Sequence, residues 1–432
     1  MKPYKLLGVL ALIVALAAPA TAWADAREDF NTALSAQKQR QHSKAVEYYT
    51  RAIDSGELSG SNLAIVYNNR GNSYAKMGKL DKALADYRRS MQIDPSYALP
   101  LNGMGLALRR KGKFSQAIAH FTRALELNPK YQSPRYNRAY TYLHMKRYRQ
   151  AMADYDWLLK QNPRDHEAYN GRGEVLRYQK KYRQAIAAYD RAIELAPRNY
   201  EYLTNRGDAY ESLGQRQKAI ADYQRAIEIN PKFGRAYNNL GFTYRQLENY
   251  DQAIAAYNRA IEVRPNYYQA YNNRGYAYFK KGMYQRAIAD YRKSLAIRPS
   301  YMTPLYNIVE AFIRAGEPAQ AVAEMQKIIR ARPRDWRPLN RLAWLSATHP
   351  SPAMRDGARA VRLAQKLIVI KVSPQTLDTA AAAYAEAGNF KEAVRTQEAA
   401  VALAQRRGQT GYLPFLKKRL ALYQQAKPYR MK

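Results

Sequence analysis

The chain has 432 residues and no cysteine, and its 71 Lys and Arg against 35 Asp and Glu give a formal net charge of +36. Disulfides and thiol chemistry are therefore excluded, and an oxidising compartment would leave the fold untouched. The charge is far beyond what solubility requires and directs attention to anionic partners.

Lys2 and Lys5 precede an apolar run from Leu6 to Ala18, and Ala22-Trp23-Ala24 then offers small residues at −3 and −1 of a cleavage site. Residues 1–24 thus have the form of a secretory signal peptide, cut before Asp25. The run is shorter than the roughly 18 residues a membrane span needs, which favours cleavage over an uncleaved anchor. No cysteine follows that could carry a lipid. The expectation is an exported bacterial protein, periplasmic or secreted.

From residue 64 the chain repeats. Pro95, Pro129, Pro163, Pro197, Pro231, Pro265, Pro299 and Pro333 each follow the last by 34 residues. With proline at about 5% of residues, seven further hits in one register have a chance probability on the order of 10⁻⁹. Let each unit begin 31 residues before its proline. Position eight is then Gly71, Gly105, Ala139, Gly173, Gly207, Gly241, Gly275 and Val309. Position twenty is Ala83, Ala117, Ala151, Ala185, Ala219, Ala253, Ala287 and Ala321. Position twenty-four is Tyr87, Phe121, Tyr155, Tyr189, Tyr223, Tyr257, Tyr291 and Met325. Small residues at eight and twenty let two helices approach closely, a ring fills the space beside them, and the proline stops the second helix.

In period and in these side chains the chain resembles the tetratricopeptide repeat family, whose unit is a 34-residue helix–turn–helix. The resemblance implies an all-α, right-handed superhelical solenoid of about eleven repeats with a C-terminal capping helix. Ala45, Tyr49 and Ala52 fit positions twenty, twenty-four and twenty-seven of a divergent N-terminal repeat over residues 25–63. Eight regular repeats occupy 64–335. Divergent repeats follow over 336–412, marked by Leu342-Ala343-Trp344, a stretched turn at His349-Pro350-Ser351-Pro352, and Tyr384, Gly388, Phe390 and Ala393. Residues 413–432 read as a capping helix and tail, apolar at Leu413, Leu416, Leu420 and Tyr423. No linker or shift of composition interrupts the register.

The family's inner wall is the first helix of each pair, exposed at positions two, five, six, nine, twelve and thirteen. Position six holds Asn69, Asn137, Asn205, Asn239, Asn273 and Asn307, interrupted by Gly103 and Gly171. A column of amides can donate to and accept from an extended peptide backbone of any sequence. It is similar to the asparagine ladder of the O-linked N-acetylglucosamine transferase superhelix. The other role for these residues is hydrogen bonding between repeats. The carboxylate clamp known in part of the family is not matched, because position five is mostly Asn68, Asn102, Asn170, Asn238 and Asn272 and the required cations are missing. Arg109, Arg177 and Arg245 at position twelve would favour a peptide with acidic character.

The excess charge gathers in the elbows between paired helices. Lys111 and Lys113, then Lys146, Arg147 and Arg149, then Lys180, Lys181 and Arg183 come into line if the repeats stack in register. Neighbouring helices lie about 10 Å apart, near the Debye length at physiological salt, so adjacent clusters reinforce one another. Such an edge is either a solvated surface or a dock for a polyanion: lipopolysaccharide, anionic lipid or acidic protein. Nucleic acid is not expected, since no nucleic-acid motif appears.

Catalysis finds no footing. His42, His120, His144, His166 and His349 fall at unrelated repeat positions without metal-ligand spacing. Gly103-Met104-Gly105 and Gly171-Arg172-Gly173 imitate a dinucleotide loop but lie inside helices with no preceding strand. A non-enzymatic scaffold with neither cofactor nor metal is the reading. It would hold a protein or peptide partner in its groove, with an anionic envelope surface as the alternative.

Overall fold

The computed structural model describes residues 24–431. The expected signal sequence therefore lies outside the described residues, except for Ala24. The chain divides into two compact units, which meet in sequence at Gln215 and Arg216. That point is an elbow inside one repeat, where the sequence carries no linker signal.

Among the described residues the first unit contains eleven helices: α1 (Ala24–Lys38), α2 (His42–Asp54), α3 (Gly60–Lys76), α4 (Leu80–Ile93), α5 (Ala98–Arg110), α6 (Phe114–Leu127), α7 (Gln132–His144), α8 (Tyr148–Gln161), α9 (His166–Tyr178), α10 (Tyr182–Leu195) and α11 (Tyr200–Ser212). The second contains α12 (Arg216–Ile229), α13 (Gly234–Gln246), α14 (Tyr250–Val263), α15 (Tyr268–Lys280), α16 (Tyr284–Ile297), α17 (Thr303–Arg314), α18 (Pro318–Ala331), α19 (Trp336–Thr348), α20 (Gly357–Ile370), α21 (Pro374–Glu386), α22 (Phe390–Arg406) and α23 (Leu413–Gln424). Among the described residues there is no strand. Within each unit a helix packs on its sequence neighbour, and first helices also touch the first helices of adjacent repeats, as in α3·α5 and α13·α15.

The repeated small residues mark the closest approach. All eight position-twenty alanines are fully buried. A Cβ placed on Gly173 would lie 2.6 Å from the Tyr189 ring, so the position-twenty-four ring sits directly on the glycine. The same rings reach forward into the next repeat, where a Cβ on Gly171 would come within 2.3 Å of Tyr155. At Gly103 and Gly171 the ring thus fills the space that a position-six Cβ would take.

Each second helix stops two residues short of its proline. The residue before proline is pushed out of the helical region, and Asp94, Asn128 and Asn162 accordingly have φ of −132°, −139° and −137°. Their side chains accept from the amide two residues on, at 3.0 Å for Ser96, 3.1 Å for Lys130 and 3.0 Å for Arg164. The first helix ends in a Schellman turn: the Gly112 amide donates to the Arg109 carbonyl and the Lys113 amide to that of Leu108. Position fifteen must then be left-handed. Gly78, Gly112, Gly214, Gly282 and Gly316 meet that need, but Lys146 (φ 59°), Lys180 (φ 61°) and Glu248 (φ 58°) adopt it with a Cβ.

Candidate functional site

Four of the position-six asparagines donate to position five of the preceding repeat. Asn137 donates to Asn102 at 3.0 Å and Asn205 to Asn170 at 2.9 Å. In the second unit the pairs join into a relay across three repeats. Asn307 donates to Asn272 (3.2 Å), Asn272 to Asn273 (3.5 Å), Asn273 to Asn238 (3.1 Å) and Asn238 to Asn239 (3.2 Å). In the first unit Asn68 donates to its neighbour Asn69 at 3.2 Å.

One N–H each of Asn137, Asn205, Asn273 and Asn307 is thus committed to the joint between repeats. Asn205 is only 5% exposed and its acceptor Asn170 4%, so this amide belongs to the joint and is not presented to a groove. That corrects the expectation for Asn205: a donor and an acceptor buried against each other have no surface left to offer. Asn69, Asn137, Asn239, Asn273 and Asn307 are half-buried.

The position-twelve cations are held against aromatic faces. Arg109 lies over Tyr140 at 4.9 Å, with Nη1 3.5 Å from the Asn137 oxygen. Arg177 lies over Tyr178 at 4.8 Å, within electrostatic reach of the Tyr189 hydroxyl and Asp208. Arg245 is flanked by Phe242 at 4.6 Å and Tyr276 at 4.9 Å. Its Nε and the nearby Tyr257 hydroxyl are buried without a hydrogen-bond partner. Burial drives the Tyr257 hydroxyl pKa well upward, with Arg245 opposing the rise, so the group stays protonated. Tyr140 is pushed up to about 12 by burial, with Glu174 adding to the rise and Arg109 opposing it.

The inner-wall aromatics Phe242 and Tyr276 at position nine and Phe279 at position twelve were not singled out from sequence. The signal was available, since both positions belong to the wall and their counterparts in other repeats are Asn72, Leu106, Ala75 and Leu143.

The structure also shows joints that sequence reasoning missed. Arg70 at position seven makes a two-pronged bond to Asp86 at position twenty-three, 2.8 Å for each arm, and a third bond of 3.0 Å to Thr50 of the preceding repeat. Arg138 repeats this with Asp154 and Thr122, and Arg274 with Asp290 and Asn258. Where position seven is Leu240, position twenty-three is Ala256. Where it is Ile308, Arg292 of the preceding repeat reaches Glu324 instead, at 3.3 Å. Part of the positive charge is therefore structural.

Along the elbows Lys111, Lys113, Lys146, Arg147, Arg149, Lys180, Lys181 and Arg183 are all exposed. Lys111 is ion-paired with Asp81 of the preceding repeat. Among the described residues no group of His, Asp or Glu is placed to hold a metal ion, and no helix is long and apolar enough to cross a membrane.

Stacked helix pairs joined by polar relays, with side chains presented from the first helix of each pair, define a repeat scaffold for holding other proteins. Tetratricopeptide repeat profiles match residues 62–130, 108–173, 166–199, 188–221, 207–247, 234–267 and 268–301, running without a gap from 62 to 301. The chain belongs to the tetratricopeptide repeat family and is a protein-interaction scaffold.

A DnaJ homolog subfamily C member 7 homolog of Schizosaccharomyces pombe is 41% identical over 58 residues, 13% of this chain and 12% of that protein, so the likeness touches a small fraction of either. The crystal structure of a tetratricopeptide repeat protein from Parabacteroides merdae superposes with a TM-score of 0.51 at 18% identity, covering 59% of this chain and 98% of that one. MamA of Desulfovibrio magneticus is similar over 39% of this chain and 96% of its own, at 22% identity and a TM-score of 0.36.

Proposed function

We propose that this scaffold is an exported adaptor of the cell envelope that holds an extended segment of a partner protein along the inner wall of α13, α15 and α17. The observation that carries the reading is Arg245. Its guanidinium is clasped by Phe242 and Tyr276 while its Nε and the Tyr257 hydroxyl lack acceptors. Those two atoms lie out of a bound chain's reach, but Arg245 as a whole is half-buried, so its outer N–H groups can donate to a carbonyl or carboxylate of a bound chain. The half-buried amides of Asn239, Asn273 and Asn307 run alongside and offer main-chain contacts that tolerate many sequences. Support for export comes from the basic, apolar and small-residue pattern of residues 1–24.

Two measurements test this. Peptides selected from a random library against the full chain should lose about tenfold in affinity to a chain carrying Arg245→Ala and Tyr276→Ala, in keeping with one desolvated cation–π and hydrogen-bonded contact. Unchanged affinity would remove the groove reading. Intact mass of the protein recovered from an envelope fraction should begin at Asp25. Recovery of the uncut chain from the cytoplasm alone would remove the envelope reading.

A second reading is favoured by one observation. Lys146 and Lys180 occupy the left-handed elbow position that five other repeats give to glycine, at a conformational cost of about 1 kcal/mol each. They stand in adjacent repeats at the centre of the basic elbows, which would dock the phosphates of an anionic envelope surface. Binding to vesicles rich in phosphatidylglycerol should then weaken steeply between low and high salt. It should vanish when Lys146, Arg147, Lys180 and Lys181 become glutamate. Salt-insensitive binding would exclude this reading.

A further inference from the structure

After α23 the backbone turns back toward the repeats. Ala426 takes φ 54°, and the amides of Ala426 and Lys427 donate to the carbonyls of Tyr423 and Leu422, closing the helix. Pro428 through Met431 are then half-buried against α19 and α21. The Tyr429 ring packs on Trp344 with centroids 5.8 Å apart. The indole N–H of Trp344 points at the Met431 sulfur at 3.1 Å. The Met431 amide donates to the Thr348 carbonyl at 2.9 Å. Arg430 Nη1 stands 2.6 Å from a Glu386 carboxylate oxygen and donates to the Ala347 carbonyl at 3.4 Å.

The period assigns these contacts a place. Counting on from the eighth repeat, Trp344, Ala347 and Thr348 are positions nine, twelve and thirteen, the inner-wall positions of the regular repeats. The returning segment therefore lies where a bound peptide would lie. It is also read as a peptide is read. One main-chain N–H meets the Thr348 carbonyl, one cation meets Glu386, and one ring and one thioether both meet Trp344. An apolar cap needs only cover, and would have no use for the arginine–glutamate contact or for a main-chain bond.

We propose that the inner face of α19 and α21 is a peptide-binding site, that residues 427–431 are its resident occupant, and that a partner protein presenting an exposed aromatic–arginine–methionine or aromatic–arginine–aliphatic segment displaces them. Glu386 is shared, since its Oε1 accepts from Arg355 Nε at 3.1 Å while Oε2 faces the cation of the occupant, and Trp344 receives the flanking ring and the apolar side chain. The proposal rests on the reading that inner walls of this chain take extended peptide, but it depends on none of the residues of α13 and α15.

The probe is a labelled peptide of sequence Gln425–Met431, capped at both ends. It is titrated against the full chain and against a full chain carrying Tyr429→Ala and Arg430→Glu, which vacates the site. Saturable binding to the substituted chain is expected, at least tenfold tighter than to the unaltered chain. Reversing the peptide's arginine to glutamate should weaken binding at least tenfold. The idea is overturned if the substituted chain keeps its thermal midpoint yet binds both peptides alike, or if both chains bind equally well.

Hydrogen exchange on the unaltered chain decides the matter independently of the substitutions. Excess free peptide should accelerate exchange at the Met431 amide, and no change at millimolar peptide refutes displacement. Arg245→Ala with Tyr276→Ala should leave this binding intact, so the two sites stand or fall separately.

Discussion

The arginine–aspartate joints allow a sharp test of how the repeats are held together. In the repeat beginning at Tyr268, Arg274 and Asp290 are 19% and 9% exposed and meet through two bonds of 2.7 Å. Replacing Arg274 with leucine strands a mostly buried carboxylate, for which about 3–5 kcal/mol of destabilisation is expected. Adding Asp290→Ala removes the stranded charge and recreates the Leu240–Ala256 pair that the adjacent repeat already carries. The double variant should lie within about 1 kcal/mol of the parent, since apolar replacement of a buried ion pair is often neutral. The coupling between the two changes is then about 2 kcal/mol or more.

Because neighbouring repeats can unfold separately, hydrogen exchange of α15 and α16 amides should accompany urea denaturation. In the single variant burial raises the Asp290 pKa with no cation to oppose it. Its folded form then binds a proton more tightly than the unfolded chain, so its deficit should shrink as pH falls. A single variant as stable as the parent, or a double variant as damaged as the single, would refute this reasoning.

Other outcomes follow from the elbows and the histidines. Lys146→Gly and Lys180→Gly should each stabilise the fold by about 1 kcal/mol in urea denaturation, because the left-handed turn no longer opposes a Cβ. His120 has its pKa lowered by burial and by Arg88, and His144 by burial and by Arg109. Their folded forms shed protons more readily than the unfolded chain, so their contribution is fully present above about pH 6.5 and lost as pH falls through the lowered values. Replacing both with glutamine should lessen the loss of stability between about pH 6.5 and 5, as read by thermal midpoints, while His42 and His349, lowered chiefly by burial, still contribute.

The architecture was legible because each repeat states its rules again. Position twenty is alanine eight times over, and a single period therefore located every helix pair from 64 to 335. The Arg274–Asp290 joint escaped notice because its signal is a pairing between positions sixteen residues apart, present in some repeats and replaced in others. The asparagine column was visible, but its partners were not. Position five lay beside position six in the sequence, yet the bond that matters runs from Asn273 to Asn238, 35 residues away. Burial decided the fate of Asn205, and burial depends on the helix above it. The return of residues 427–431 to Trp344 had no local signature beyond Pro428, since a tail of mixed polarity reads the same whether it is bound or solvated.

The most direct test of the scaffold's use of its inner wall is hydrogen exchange of the full chain with and without a selected peptide. The account predicts protection in α13 and α15, around Asn239, Arg245, Asn273 and Tyr276, with the elbows at Lys146 and Lys180 unaffected. Protection confined to those elbows, or a bound peptide that leaves α13 and α15 unchanged, would contradict it.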